Sequence, residues 1–402
     1  MSRHPELYQW IDTVVTRFPT LSKPQACGLA LWSFGMIVAR SCSLSAVAQL
    51  LAPLMKQSFN TVRERLRDTY READAKSGSQ RAELDVNVCW GPWLAWVLDG
   101  WEGQQWAIAL DATSLGDRFV VLAVSVLYRG CAVPVAWKVL KAQQKHAWKP
   151  EWLKLLDQFK KQVPRDGTVI VLTDRGLYAK WLYRAIANLG WHPFLRVNVG
   201  GTFRPEGERL WRSFKDYCPQ PGMHWQGRGI AFSGSKTQLR CTLLACWGEG
   251  HQDPWLILTD LPPESADACW YGLRAWIERG FKYSKSNGWQ WQHTRMDDPA
   301  RAERLWMAIA LATWWLLSVG GDAEAQDDLL PDIPLTAVPG AARRRGQRWR
   351  LVGIFQRGWS LIVAALLNHQ LLPTKPGRPE AWPVLPQIED TGWAVSTGGT
   401  GG

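Results

Sequence analysis

No two of the eight cysteines stand at C-x-x-C spacing. Cys27, Cys42, Cys89, Cys131, Cys218, Cys241, Cys246 and Cys269 are scattered singly. A zinc ribbon or finger, which needs paired ligands, is disfavoured. The histidines are equally uninformative: His146, His192, His224 and His293 show no ligand spacing. MSRHPELYQWIDTVV has charges and a proline where a secretory signal needs an apolar core. Free thiols in a reducing cytoplasm are therefore expected. Long apolar runs are also missing. The most apolar stretch, LWMAIALATWWLLSVGG from Leu305, holds about 15 such residues, short for a membrane span and better suited to a buried helix. No repeat period is visible, and no membrane partner is expected.

What remains is a 402-residue chain with room for two or three domains and a large core. Hydrophobic residues make up 46% and charged residues 21%, a globular balance. The net charge of +11 and pI of about 9.4 favour a polyanionic partner. The 27 tryptophans exceed what a core of this size ordinarily uses. Many must be buried, and any on the surface offer flat rings on which bases can stack.

Residues 1–95 read as a helical region. Apolar positions recur at helical spacing in LYQWIDTVVTRF and CGLALWSFGMIVA. SLSAVAQLLAPLM follows, with Ser43 or Ser45 as N-cap. NTVRERLRDTYREADAK is then a basic helix, either a DNA reader of helix-turn-helix type or a solvated face laced with ion pairs. From residue 96 to 197 the pattern turns to strands. QWAIALDAT, FVVLAVSVLYRG and CAVPVAWKVL are three β-prone runs broken at Gly116 and Gly130. A helix (WKPEWLKLLDQFKKQV), a strand (TVIVLTD), a helix (YAKWLYRAIANLG) and a strand (HPFLRVNV) follow. This element order resembles the RNase H-like α/β fold with its mixed sheet. Residues 198–265 read as a β-rich insertion within that core, and 266–320 as its second part. Residues 321–402 are a basic region with one helix, GIFQRGWSLIVAALLNHQLL, and a last 30 residues of disordered composition.

The chemistry concentrates in three acidic residues and one motif. Asp111 and Asp174 each end an apolar β-prone run, AIALD and TVIVLTD. Tyr271, Arg274, Glu278 and Lys285 fall within YGLRAWIERGFKYSK. At about 100° per residue on an α-helix these four lie near 0°, 300°, 340° and 320°, an arc of roughly 60°. Two strand-borne carboxylates and one helix-borne carboxylate suit Mg²⁺, with Mn²⁺ as a substitute, acting on phosphodiesters. Arg274 and Lys285 would bind phosphate oxygens, and Tyr271 would hydrogen-bond one. Bland alternatives stand beside each. An aspartate after a strand is often a turn residue, and Arg274 with Glu278 is an ordinary i,i+4 pair. Asp260 in WLILTDLP has the same look as Asp174, but two prolines follow it inside the insertion. Gly280 lies in the motif helix and would end or kink it, taking Lys285 off the common face.

Spelled Y-x2-R-x3-E-x6-K, residues 271–285 resemble the Tyr-Arg-Glu-Lys motif of bacterial insertion-sequence transposases of the family-four type. These are Asp-Asp-Glu enzymes with an RNase H-like core and a β-rich insertion before the Glu. The resemblance covers roughly residues 100–320. It implies Asp111, Asp174 and Glu278 as the catalytic, metal-holding carboxylates, and Tyr271, Arg274 and Lys285 as DNA ligands. It implies metal-dependent nicking at transposon ends, then attack of the freed 3′-hydroxyl on target DNA, by a homodimer on DNA. Some members pass through a DNA hairpin with a flipped base on an insertion tryptophan, for which Trp247 and Trp255 are candidates by position. RRRGQRWR, with Arg343, Arg344 and Arg345, is a further phosphate-binding candidate, or else a basic linker. Two rivals remain: a stand-alone RNase H-like nuclease, and a transposase-derived DNA-binding protein without catalysis.

Overall fold

The computed structural model describes residues 4–77, 81–101, 105–144, 148–159, 167–328 and 352–383. Five helices come first: α1 Pro5–Arg17, α2 Lys23–Ala39, α3 Leu44–Met55, α4 Phe59–Arg67 and α5 Trp90–Val97. Serines set three of the starts. Ser22 and Gln25 form a capping box for α2, and Ser43 and Ser58 accept from backbone N–H groups of α3 and α4. Ser43, not Ser45, is thus the cap of α3. The basic helix is shorter than its sequence implied. It stops at Arg67, and Glu64 gathers Arg67 at 2.9 Å and Arg71 at 3.1 Å. The charged residues beyond it form turns, from which Glu72 pairs with Arg301 and Arg304 of a later helix.

Three strands follow, β1 Gln105–Leu115, β2 Phe119–Tyr128 and β3 Cys131–Lys141, joined antiparallel through tight turns. Gly116 and Gly130 adopt positive φ in those turns, which side-chain-bearing residues resist. Then come α6 Trp148–Asp157, β4 Thr168–Thr173, α7 Lys180–Asn188 and β5 His192–Arg196. β4 runs parallel to β1, and β5 parallel to β4. The strand order 3-2-1-4-5 with these helices is the RNase H-like core.

The β-rich segment supplies β6 Thr202–Pro205, β7 Arg212–Ser213, β8 His224–Ala231, β9 Leu239–Cys246 and β10 Trp255–Thr259. It extends the core sheet itself. β10 pairs antiparallel with β5, and one ten-stranded sheet results, ordered 3-2-1-4-5-10-9-8-6-7. A 3-10 turn, Ala268–Ala275, leads into α8 Trp276–Ser284; α9 Pro299–Asp328 and α10 Ile354–Leu367 complete the order.

The strand alternation buries both sheet faces. Ala107, Ala109, Ile170, Leu172, Phe194, Leu244 and Ile257 pack beneath Tyr271, Leu273, Trp276 and Ile277. Ile108, Leu110, Val169 and Val171 belong to the larger core with Trp152 of α6 and Leu182 of α7. The tryptophans serve that core: Trp10, Trp32, Trp93, Trp137, Trp152, Trp289, Trp291, Trp306, Trp314 and Trp315 are each under 2% exposed. None of the eight thiols pairs. α9 is long and apolar enough to cross a membrane, yet its apolar window lies wholly inside the protein. Its 30 residues exceed the 15-residue run because the helix continues through polar turns at both ends.

Two glycines let α9 and α10 cross backbone to backbone: a Cβ on Gly320 would strike the Ile354 carbonyl, and one on Gly358 the Leu316 carbonyl. Residues 373–383, expected to be disordered, are instead a packed strap. Lys375 and Arg378 pair with buried Asp322 of α9, and Trp382 lies edge-on to Trp270 in the 3-10 turn. The rest of that tail and Arg343, Arg344 and Arg345 lie outside the described residues.

Candidate active site

Asp111 does not end its strand. β1 runs on to Leu115 because β2 pairs with it from Ile108 to that end. The pairing with β4 stops earlier, at Ala109 opposite Leu172. Two residues on, that register sets Asp111 level with Asp174, which follows β4 directly. Side chains two apart on a strand share a face, so both aspartates follow Ala109 and Leu172 to the side covered by the motif segment.

The motif segment is not one uniform helix. Residues 268–275 form a 3-10 turn, and only 276–284 are α-helical. At three residues per turn, Tyr271 and Arg274 eclipse one another. Arg274 and Glu278 remain neighbours across the junction. Gly280 does not break the helix. It lets α8 seat on β3, since a Cβ there would come within 2.8 Å of the Ala132 carbonyl oxygen. Lys285 lies just past the helix end with non-helical backbone. Its Nζ nonetheless returns to β1, donating to Thr113 Oγ1 and the Ser114 carbonyl, each at 2.8 Å.

One guanidinium ties the three carboxylates together. Arg274 Nη2 lies 2.7 Å from Asp111 Oδ2 and 3.7 Å from Asp174 Oδ2, and Nη1 lies 3.2 Å from Glu278 Oε1. Exposure rises across the set, from 11% for Arg274 and 19% for Asp111 to 45% for Asp174 and 61% for Glu278. The other aspartate oxygens are held by backbone: Asp111 Oδ1 accepts from Ala112 N at 2.8 Å, and Asp174 Oδ1 from Leu177 N at 3.0 Å.

Burial lifts the Asp111 carboxyl above its ordinary range. Arg274 and the Ala112 N–H pull it back, while Asp174 and Glu278 crowd it further. Burial works against the Arg274 charge, but the surrounding acids outweigh it and its pKa lies above the usual value. Burial lowers Lys285.

Tyr271 is buried, 4% exposed, and not on an open face. It sits edge-on to Trp255 at 5.3 Å and beneath the Arg196 guanidinium, and burial pushes its phenol up to about 12. Trp255 is half-buried. Trp247, also half-buried, donates from Nε1 to the His251 carbonyl at 2.9 Å. Asp260, set aside on sequence grounds, accepts from His192 Nδ1 at 2.9 Å across the β5–β10 seam, away from the other carboxylates. Sequence reading missed Arg118, whose Nη1 donates to the Thr294 and Met296 carbonyls at 2.6 and 2.9 Å and ties the segment after Lys285 to the β1–β2 turn. No motif marks it.

The family description "Transposase DDE domain" matches residues 104–315, more than half of the chain. The chain belongs to the transposase DDE domain family. No curated protein matches it. The matched stretch contains Asp111, Asp174, Arg274, Glu278 and Lys285. The protein is therefore a transposase-type enzyme whose substrate is DNA.

Transposases of this family use divalent metal ions. Among the described residues no three acidic, histidine or cysteine side chains stand close enough to share an ion as they are. The guanidinium stands among them instead. The donors are hard carboxylate oxygens, and they already converge on one cation. Both properties fit a hard divalent cation such as Mg²⁺ or Mn²⁺.

Proposed function

We propose that this transposase cuts phosphodiester bonds at the ends of its element and joins the freed 3′-hydroxyl to target DNA. Asp111, Asp174 and Glu278 are the carboxylates that hold Mg²⁺ or Mn²⁺ in this reading. The observation that carries it is their convergence on Arg274, although 63 and 104 residues separate them along the chain. Bound metal would supply an activated oxygen nucleophile and charge stabilisation at the leaving oxygen. The protein's own residues orient the strand. Arg274 exchanges carboxylates for a scissile-strand phosphate, to which a guanidinium can donate bidentately. Lys285, anchored on Thr113 and Ser114, places a second cation beside the same rung of β1. Tyr271 supports the turn from beneath.

The Tyr-Arg-Glu-Lys spacing supports assignment to the family-four type of insertion-sequence transposases, acting as a homodimer on DNA. Trp255, beside Tyr271, is better placed than Trp247 to receive a flipped base. Arg343, Arg344 and Arg345 are proposed as additional phosphate contacts.

The test is cleavage of a duplex carrying the element's own inverted repeats in Mg²⁺, followed by joining to a plasmid. Asp111→Ala, Asp174→Ala and Glu278→Ala should each abolish both steps while leaving DNA binding in place. Activity surviving any one of them would sink the assignment. Hydrolysis without joined product would favour the stand-alone nuclease. Binding without metal-dependent nicking by the wild type would favour a non-catalytic DNA-binding protein.

A further inference from the structure

The strand register extends the row that begins with the two aspartates. Asp174 follows Thr173, which pairs with Leu195, so Asp174 stands level with Arg196. Arg196 faces Ile257, Ile257 faces Leu244, and Leu244 faces Gln226. Residues paired across strands share a face. Two residues beyond Gln226, Arg228 faces Thr242. Two further on, Ile230 faces Arg240 on one side and Arg204 on the other. Arg204, Arg228 and Arg240 therefore lie on the face that carries Asp111 and Asp174, in the part of the sheet built by β6, β8 and β9.

These arginines line a cavity of about 400 Å³, with Thr242, Glu206, Glu208 and Asp260 at its wall. Arg228 and Arg240 are exposed; Arg204 is half-buried with its guanidinium 5.0 Å from the Trp211 ring centre. Among the described residues none of the three makes an ion pair. Two of the nearby acids are engaged elsewhere: Glu208 pairs with Arg212 at 3.2 Å, and Asp260 accepts from His192. Glu206 alone is left opposite three guanidiniums. Arg228 and Arg240 are diagonal neighbours on an antiparallel pair, about 7–8 Å apart with their Cβ atoms somewhat closer, a spacing on the scale of successive phosphates along one DNA strand. Arg228 on β8, the middle strand of the three, is five ladder spacings from β1, about 24 Å across the sheet. At about 3.4 Å per base pair that is roughly seven base pairs of duplex.

We propose that Arg204, Arg228 and Arg240 form a phosphodiester-binding site that grips duplex DNA about seven base pairs from the bond cut at Asp111, Asp174 and Glu278. The site rests on the reading that this face engages DNA during cleavage. It reads no sequence; it fixes the angle at which the duplex crosses the sheet.

The experiment is a salt titration of duplex binding by fluorescence anisotropy, using the full chain and a labelled duplex of arbitrary sequence. The Arg204→Ala/Arg228→Ala/Arg240→Ala variant should lower the slope of log K against log salt by about 2.7, at about 0.9 per phosphate contact. A charge-matched control, Lys149→Ala/Lys154→Ala/Arg184→Ala on α6 and α7 over the other face, should lower it by less than about 1. Lysine at all three arginine positions should keep the wild-type slope, since point charges suffice. If the triple alanine chain fails to fold, Arg228→Gln and Arg240→Gln, both at exposed positions, should each lower the slope by about 0.9. An unchanged slope in the arginine variants, or an equal fall in the control, overturns this site while leaving the catalytic reading intact. A wild-type chain that binds no DNA overturns both.

Discussion

Replacing Arg274 by methionine keeps the side-chain stem and removes the charge that the three carboxylates share. Asp111 and Arg274 are 19% and 11% exposed. Breaking a fully buried pair costs about 3–5 kcal/mol, so this partly open one should cost about 2–3 kcal/mol. Asp174 and Glu278, far more exposed, add about 0–1 kcal/mol together. The sum is about 3 kcal/mol. An unfolding entropy of about 2.1 cal/mol/K per residue over 402 residues turns this into a Tm lower by about 3–4 °C in chelator. Mg²⁺ at a hundred times its Kd returns about 2.7 kcal/mol, nearly the same amount. In wild type the ion must first displace the guanidinium, so its gain should be smaller. Thermal denaturation of both chains in EDTA and across Mg²⁺ and Mn²⁺ titrations checks this. The variant should start lower, shift further and meet the wild type at saturation. Adding Asp111→Asn should remove most of the metal response. A variant as stable as wild type in chelator, with no larger metal shift, would refute a shared cation site.

Gly280→Ala should push α8 off β3, because the new methyl would press on the Ala132 carbonyl; a loss of about 1–3 kcal/mol in denaturant unfolding, with a larger fractional loss of nicking, checks it. Glu72 joins the segment after α4 to Arg301 and Arg304 of α9, at 2.7 and 3.3 Å, and the bond from Arg301 holds its carboxyl down at about 2. A depressed acid contributes stability above its unfolded value of 4.5 that is lost as pH falls from there through about 2. Unfolding measured from pH 5 to pH 2 should show Glu72→Gln less stable by about 1 kcal/mol at pH 5, the gap closing toward pH 2. Lys285→Ala removes the donor to Thr113 and Ser114; nicking should fall at least tenfold with Tm nearly unchanged, whereas a matching fall in Tm would make the residue structural.

The core strands were legible because their apolar runs are bounded by glycines that must turn, Gly116 and Gly130. Asp111 and Asp174 were legible as ends of similar apolar runs, but their shared level on the sheet follows from register, which no single strand encodes. The motif's split into a 3-10 turn and an α-helix was not readable. A spacing of three places Tyr271 and Arg274 together under either geometry, so that pair cannot tell a 3-10 turn from an α-helix. Arg274 read as a phosphate ligand, and its pairing with Asp111 and Asp174, distant along the chain, was invisible. The tryptophans could not be sorted into core and surface by composition, since burial depends on which elements pack over them. The arginines of the β-rich segment carry no motif at all; what groups Arg204, Arg228 and Arg240 is cross-strand pairing between pieces up to 36 residues apart.

Because β5 and β10 pair, the β-rich segment and the catalytic strands form one continuous floor. Trp255, on β10 of that sheet, stands beside Tyr271 in the turn that leads to Arg274. In the proposed reaction a base that meets that ring must leave its stack, and the cost of unstacking falls on the nucleic acid.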